Sequence, residues 1–263
     1  MGLLNIWKTY MRLNVAKWAE YRFDFILGMT SMMLGNITGI LFIWVLFQHI
    51  PALNGWSFAQ LLMLNGFTAL MFGVWHAFLT GPAPWEVEDY VRNGTFDRYL
   101  VRPVNPLLNL LMGEINDDGF GDIISGIAIL AVAGGMLGMV WTPQLLAALA
   151  VLVISGGLIV FAFMTIIAAI AFWTTQVRAI VDVFFNFTRF LDYPLDIYST
   201  GVIMFLTFAL PIGFTSYYPA QLFLGRGLWM QAVWLTPLIA GALLAIAYAV
   251  WNIGLKNYTS TGH

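Results

Sequence analysis

The residues best suited to chemistry are four carboxylates in one short stretch, Glu114, Asp117, Asp118 and Asp122. In a helix, Glu114, Asp118 and Asp122 would follow one another at intervals of four and share one face. Carboxylate oxygens grouped in this way are ligands that Mg²⁺ and similar divalent cations accept. One hypothesis is therefore an enzyme that processes lipid or polyprenyl substrates through the acidic cluster 114–122.

The spacing of these acids weakens that hypothesis. Membrane prenyltransferases carry the motif N-D-x-x-D-x-x-x-D and a second Asp-rich motif, whereas here Phe120 lies three positions after Asp117 and a second cluster is missing. Residues 123–141 are apolar and nearly long enough to span a membrane, which places the acids near a membrane edge. We therefore expect no catalytic residue and no metal site, and predict that the acids contact an amphipathic helix or a partner protein.

Other catalytic patterns are missing as well. There is no G-x-x-x-x-G-K-[ST] phosphate loop, H-E-x-x-H or G-x-S-x-G motif, and His49, His76 and His263 are isolated from one another. The small residues at 155–157 are expected to serve close helix packing. The chain is therefore predicted not to be an enzyme and to carry no cofactor of its own.

Composition points to a membrane protein. Hydrophobic residues make up 60% of the chain and charged residues 9%, against roughly 25% charged in soluble domains. The net charge of −2 does not indicate a nucleic-acid partner, and there is no cysteine for disulfides or metal ligation. Long, unbroken apolar runs favour helices over a barrel, so the predicted fold is an all-α polytopic transmembrane domain over residues 1–263.

Hydropathy predicts the order of the spans. Clear runs cover residues 25–48, 57–79, 145–173 and 228–253, and a third region, 106–140, is interrupted early by the acids. In a model with six spans, nine basic residues fall on one side and only Arg226 on the other, which predicts that both termini are cytoplasmic. These nine are Lys8, Arg12, Lys17, Arg22, Arg92, Arg98, Arg102, Arg178 and Lys256.

Residues 1–22 are predicted to form an amphipathic helix at the membrane surface. Leu4, Trp7, Met11, Val15 and Trp18 recur at helical spacing, beside basic residues. Tryptophan and basic side chains together suit the headgroup region of an anionic lipid leaflet. Membrane lipid is therefore an expected partner; a plain charged lead-in to the first span is the alternative.

A polar segment, residues 80–104, lies between the second and third apolar regions and holds seven charged residues. Pro84 can open a short helix over residues 85–91, since its missing N–H is not needed in a first turn. Acidic residues in that turn suit the positive helix N-terminus, and Gly94 can end the helix. This order of turn and charge positions favours a docking surface over a generic loop.

The pattern R-x-G-x-x-D-x-x-L-x-R-P over residues 92–103 resembles that of ABC-2-type permeases, the six-span membrane subunits of bacterial ABC exporters. The resemblance implies that residues 80–104 form a cytoplasmic coupling segment with a coupling helix that docks an ATPase. The implied coupling residues are Trp85, Glu86, Glu88, Asp89, Arg92, Gly94, Asp97, Arg102 and Pro103.

A second block, residues 193–220, resembles the stretch before the last span of the same family. It implies that residues 196–226 are re-entrant helices forming an external gate, and that the fifth span is 178–195. Hydropathy instead favours 201–218 as the fifth span, and both assignments stay open. The implied gate residues are Tyr193, Pro194, Pro211, Tyr217, Tyr218 and Pro219. Asp182 and Arg189, seven positions apart, are expected to line one face towards a dimer partner.

The resemblance implies a permease subunit in the bacterial cytoplasmic (inner) membrane. Two such subunits, identical or paralogous, would enclose a translocation path, and separate ABC ATPase subunits would bind ATP and Mg²⁺. An assembly subunit that does not itself transport is a further alternative. The cargo does not follow from the sequence.

Overall fold

In the computed structural model of the protein, the structure describes residues 3–113, 115–174, 176–226 and 232–259. These residues are mostly helical, and no β-strand occurs among them. Glu114, His263 and the first residues of the predicted last span, 228–231, lie outside the described part of the chain.

Five helices are long and apolar enough to cross a membrane. They are α2 (Arg22–His49), α3 (Phe58–Phe78), α7 (Asp118–Met136), α8 (Pro143–Thr174) and α12 (Thr236–Asn257). The interrupted third region divides into a short α6 (Pro106–Gly113) and the long α7. The chain is therefore a polytopic helical protein with five candidate spans, and a sixth span stays a prediction.

The remaining elements are shorter than these five helices. They are α1 (Leu3–Glu20), α4 (Pro84–Arg92), α5 (Asp97–Leu100), α9 (Arg178–Thr188), α10 (Thr200–Met204) and α11 (Tyr217–Phe223). Single turns of 3₁₀-helix cover Arg189–Asp192, Leu195–Ile197, Ile212–Thr215 and Ala232–Leu235, and a π-helical turn covers Phe205–Ala209.

Local sequence signals explain the sharp turn between α2 and α3. Asn54 and Gly55 both have positive φ angles, which these two residue types tolerate best, and Leu53 bridges to Trp56 across them. Ser57 then caps α3: its hydroxyl accepts from the Gln60 backbone N–H, and the Gln60 side chain accepts from the Ser57 N–H. This capping box fixes where α3 begins.

We call the end of the bundle that carries this turn the upper end, and the end that carries α4 the lower end. Helices α2 and α7 run upwards, whereas α3, α8 and α12 run downwards, so the first four long helices alternate in direction and α12 is parallel to α8.

Helices α3 and α7 pack along a seam of glycines. Gly66 and Gly73 of α3 face Leu130 and Ile123, and Gly126 of α7 faces the backbone of Leu70. A side chain at these positions would lie within about 3 Å of the neighbouring helix. The two helices approach closely because glycine leaves no Cβ between them, a common way of packing helices in lipid.

Two further contacts complete the bundle. Gly121 of α7 lies against the backbone of Met29 in α2, and Gly254 of α12 lies against Phe172 of α8. The predicted packing role of the small residues at 155–157 is observed, because Gly156 contacts Met71 and Thr215. Most of the surface of α2 stays uncovered within this chain, because only 6% of its apolar stretch is buried.

Helix α1 lies at the lower end, with part of its apolar stripe turned away from the protein. Asn14 is buried and Tyr10 and Trp18 are partly buried, whereas Trp7 and Val15 are about half exposed. Trp18 packs edge-on against Phe120 at the base of α7. The apolar residues Trp7 and Val15 therefore remain uncovered by the described protein, as expected for a helix that meets lipid.

The glycine seam generates the first prediction. Gly126→Ala would place a Cβ 2.5 Å from the Leu70 backbone nitrogen, so α3 and α7 must separate. We expect a loss of about 1–3 kcal/mol in stability, the usual cost of overpacking, measured as a lower melting temperature in detergent. Gly135→Ala on the same helix is the matched control, because nothing lies within 4 Å of its added Cβ. Equal melting temperatures for the two variants would contradict the seam.

Candidate functional site

The polar segment 80–104 folds as a short helix and a turn at the lower end of the bundle. Helix α4 begins with Pro84 in its first turn, carries Glu86 there, and is followed by Gly94 at φ 68°. The observed helix, Pro84–Arg92, is thus one residue longer at each end than the predicted helix 85–91.

One face of α4 is buried against α8 and α9. Val87, Glu88 and Val91 are buried, and Phe96 beyond the helix is completely enclosed. The Phe96 ring packs against Phe172 of α8, 5.0 Å away between ring centroids, and against Tyr258 beyond α12, 5.3 Å away. The segment is therefore attached to the lower ends of α8 and α12 by aromatic packing.

Glu88 connects α4 to the beginning of α9. Its Oε2 accepts hydrogen bonds from the backbone nitrogens of Val177 at 2.6 Å and Arg178 at 3.2 Å. Helix α9 has no side-chain cap of its own at Val177. The buried carboxylate of another helix thus satisfies its first N–H groups and lies at the positive end of its dipole.

Charged side chains surround this junction on its solvent side. Arg178 binds Asp89 at 3.1 Å and approaches Glu88 at 3.5 Å. Arg92 binds Asp89 at 2.5 Å and approaches Glu88 at 3.9 Å. Two arginines therefore compensate two carboxylates, one of them buried, which is the condition under which a charge is tolerated away from water.

The other predicted coupling residues also have partners within the chain. Asp97 accepts a hydrogen bond from the Tyr258 hydroxyl at 3.0 Å, and Arg102 donates to the Tyr10 hydroxyl of α1 at 3.2 Å. Trp85 lines a small pocket of about 360 Å³ with Asp182, and Pro103 is exposed. The contacts of Asp97, Arg102 and Trp85 thus hold the segment against neighbouring parts of the chain, whereas Pro103 faces outwards.

Sequence reasoning missed an aromatic layer in this segment. The Arg98 guanidinium lies over the ring of Tyr90, 4.6 Å from its centroid, and 5.0 Å from that of Tyr99. Burial raises the pKa of the Tyr90 phenol well above its usual range, so this ring stays neutral beside Arg98. The alternation of aromatic and basic residues over 90–99 was the available signal.

The outer surface of the segment combines charge with exposed apolar side chains. Val101 is 83% exposed and Leu100 is 43% exposed, and Asn93 and Thr95 are also exposed. An apolar pair at the tip of a polar loop is typical of a surface that another protein covers.

The block predicted as a gate folds back on itself at the upper end. Asp196 accepts a hydrogen bond from Trp56 Nε1 at 2.9 Å, and Tyr217 packs on the same tryptophan, 6.1 Å between ring centroids. Between these two points, the chain descends far enough for Thr215 to contact Gly156 in the middle of α8. The first arm of this hairpin thus begins near the upper turn, and the second arm returns to it.

Among the predicted gate residues, Tyr218 joins the two arms of the hairpin. The Thr207 and Tyr218 hydroxyls lie 2.6 Å apart, Pro211 precedes the 3₁₀ turn at the lowest point of the hairpin, and Pro219 is buried in α11. Tyr193 and Pro194 lie just before the descending arm. The hairpin ends at Arg226, which donates to the Gly55 carbonyl at 3.0 Å.

The acidic cluster is divided by the structure. Asp117 and Asp118 lie at the lower end of α7, in a pocket with Lys17 and Trp18 of α1. Asp122 points elsewhere and accepts a hydrogen bond from Asn36 of α2 at 2.7 Å. Within the described ranges, no three histidine, aspartate or glutamate side chains are placed to hold a metal.

A large cavity lies between α2, α3, α7 and the end of α9. It measures about 600 Å³, and Asp122 and Arg189 are on its wall with further polar and apolar side chains. Asp182 does not reach it and lines the pocket beside Trp85 instead. Asp182 and Arg189 are both exposed in the single chain, and their shared role towards a partner stays a prediction.

Comparison with known proteins gives one match. The model of a family described as ABC-2 family transporter protein matches residues 33–262, which include all five candidate spans except the first turns of α2. No match was found among curated proteins or among solved structures. Proteins of the matched family are membrane transport components rather than catalysts, and the apolar helices agree with a multi-pass membrane protein.

The Glu88 junction generates the second prediction. Glu88→Ala should lower stability by about 2 kcal/mol, because two charge-assisted hydrogen bonds to buried N–H groups are lost. Asp89→Ala, one residue away, should cost less than about 1 kcal/mol, because its ion pairs are exposed to solvent. Thermal melting of the two purified variants in detergent measures the difference. Equal losses would show that the cap on α9 contributes nothing beyond the surface ion pairs.

Proposed function

We propose that this chain is the membrane-spanning permease subunit of an ATP-driven exporter. The proposal starts from its family, because the chain belongs to the ABC-2 family of transporter proteins. In this proposal it lies in the bacterial inner membrane with both termini in the cytoplasm. Separate ATPase subunits bind ATP and Mg²⁺ and hydrolyse the nucleotide. The chain supplies the translocation path and the coupling segment.

The observation that carries the proposal is the attachment of α4 to α9 through Glu88. A force applied to α4 by an ATPase would act directly on the first turn of α9. Helix α9 in turn leads to Thr188, Arg189 and Asp192 on the wall of the large cavity. The coupling segment and the cavity are thus joined by one short helix.

The basic residues support the orientation. Arg92, Arg98, Arg102 and Arg178 lie at the lower end together with the N-terminal helix, whereas Arg226 lies at the upper end. The lower end is therefore assigned to the cytoplasm by the excess of positive charge. On this assignment, the exposed Leu100 and Val101 face an ATPase.

The fifth crossing is assigned to α9 and the 3₁₀ turn after it. Eleven α-helical and four 3₁₀ residues rise about 24 Å, less than the roughly 30 Å of hydrocarbon in a bilayer. This shortness explains why the segment is not among the five candidate spans. Asn65 of α3 donates to the Asp192 carbonyl at 3.2 Å, which ties its upper end into the bundle.

The hairpin over residues 196–226 is proposed as the external gate. Both of its arms are tied to the upper turn, and its lowest point reaches only the middle of α8. Such a broken backbone is tolerated at membrane depth where protein surrounds it, and the 3₁₀ turn at its lowest point is buried.

A second permease, identical or paralogous, completes the path in this proposal. The face of α2 is largely uncovered within the chain, and Asp182 and Arg189 on the neighbouring α9 segment are exposed. Charges in an apolar region need protein or water around them, and a partner subunit facing α2 and α9 would provide that environment.

The exposed tip of the coupling segment gives the third prediction. Val101→Asp should abolish copurification of the ATPase or reduce transport at least tenfold, because a charge replaces an apolar side chain at the core of the contact. Val140→Asp is the matched control: that valine is 76% exposed, but it lies in the α7–α8 turn at the upper end. Val101→Asp with unchanged ATPase binding and transport would contradict the docking assignment. Measurable transport by the native complex would also distinguish a permease from an assembly subunit that does not itself transport.

The fourth prediction tests the orientation and the hairpin in a chain that has no native cysteine. Ser199→Cys, at an exposed position beside α10, should react with a membrane-impermeant maleimide in intact cells. Val101→Cys should react only after the cells are permeabilised. The reverse pattern would contradict the orientation, and labelling of both positions only after permeabilisation would instead make residues 201–218 the fifth span.

A further inference from the structure

The large cavity has two kinds of wall. Its apolar wall is formed by side chains of α2, α3 and α7, and its polar wall by amides, hydroxyls and three charged groups. The apolar members include Ile40, Phe42, Ile43, Ala69, Phe72 and Ile129. The polar members include Asn36, Thr38, Asn65, Thr68, Asp122, Thr188, Arg189, Asp192 and Tyr193. Its volume of about 600 Å³ is in the range of sites that hold drug-sized molecules.

Asp122 lies at the lower end of this cavity and is held in place by two neighbours. Asn36 Nδ2 donates to Oδ1 at 2.7 Å and also to the Met32 carbonyl of its own helix at 3.1 Å. His76 Nδ1 lies 3.8 Å from Oδ2. The carboxylate is therefore oriented by α2 and α3, and only 14% of its side chain is exposed.

Asn116 holds His76 on the side of the ring away from Asp122. Asn116 Oδ1 accepts from the Asp118 backbone N–H at 3.1 Å, which turns its Nδ2 towards His76 Nε2 at 3.0 Å. The other ring nitrogen, Nδ1, faces Asp122.

Arg189 and Asp192 also lie on the wall and belong to the same 3₁₀ turn. Among the described residues, no lysine or arginine lies within ion-pair distance of Asp122. The wall therefore carries two carboxylates and one guanidinium beside aromatic and aliphatic side chains, and Asp122 has no lysine or arginine paired with it in the described part of the chain.

We propose that this cavity binds an amphipathic organic cation, whose charge pairs with Asp122 and whose apolar body rests on Phe72, Ile40 and Ile129. This proposal rests on the proposed function, since it names the class of cargo for the same translocation path. A carboxylate away from water is costly without a counter-ion, and a bound cation would remove that cost. Asn36 and His76 are positioning residues that keep the carboxylate turned towards the cavity.

Equilibrium binding of tetraphenylphosphonium to the full-length chain in nanodiscs tests the proposal. The native chain should bind this cation, and tetraphenylborate, an anion of nearly the same shape, should not displace it. Asp122→Asn keeps the shape and an acceptor for Asn36 but removes the charge, and should weaken binding by about tenfold, between the usual effects of exposed and buried ion pairs. Asp122→Glu should restore part of the affinity.

Asp24→Asn is the matched control, because it removes the same charge from α2 outside this cavity and should leave binding unchanged. Thr38→Cys in the chain with native Asp122 gives a measurement that does not depend on the folding of the Asp122 variants: tetraphenylphosphonium should protect this cysteine from methanethiosulfonate reagents. Equal binding of cation and anion, unchanged binding in Asp122→Asn, or no protection of Thr38→Cys would overturn the proposal. The permease assignment would still stand if the ATPase copurifies and transport of an uncharged cargo is observed.

Discussion

A helix that begins inside a protein needs hydrogen-bond acceptors for its first N–H groups, and the structure depends on how this need is met. Helix α9 begins at the lower end without a capping side chain of its own, and Glu88 of α4 supplies the acceptor. Because that carboxylate is buried and hydrogen-bonded to two backbone nitrogens, α4 and α9 cannot separate without breaking both hydrogen bonds. A single side chain thereby links the solvent-facing segment to the membrane helices.

The bundle around this junction is divided into a closely packed part and an open part. Helices α3 and α7 meet along glycines with no room for a Cβ, and α8 packs on α12 through Gly254 and aromatic rings. By contrast, α9 has Asp182, Val183 and Asn186 exposed along one side. Close packing resists rearrangement, and the helix that connects the polar segment 80–104 with the cavity belongs to the open part of the bundle.

Much of the architecture follows from local rules. Apolar runs of sufficient length predicted the five long helices, and Pro84 and Gly94 predicted the limits of α4 to within a residue. Asn54 and Gly55 account for the upper turn in the same local way. These features depend on neighbours in the chain, such as a missing N–H, a positive φ or a window of apolar side chains. The inward face of α1 carries Tyr10, which donates to Asn109, and Asn14, which donates to the Tyr10 carbonyl of its own helix. Apolar periodicity does not indicate such polar partners.

The sequence by itself determined that this is a helical membrane protein without a phosphate loop, and which polar segment faces the solvent. Those conclusions need only composition, periodicity and motif spacing, which are properties of a linear chain. Only the tertiary structure decided that Glu88 turns inwards to cap α9, that Asp122 separates from Asp117 and Asp118, and that Asn36 and His76 hold it. Each of these depends on contacts between residues some 40 to 90 positions apart, because hydrogen bonds and burial follow distance in space rather than along the chain.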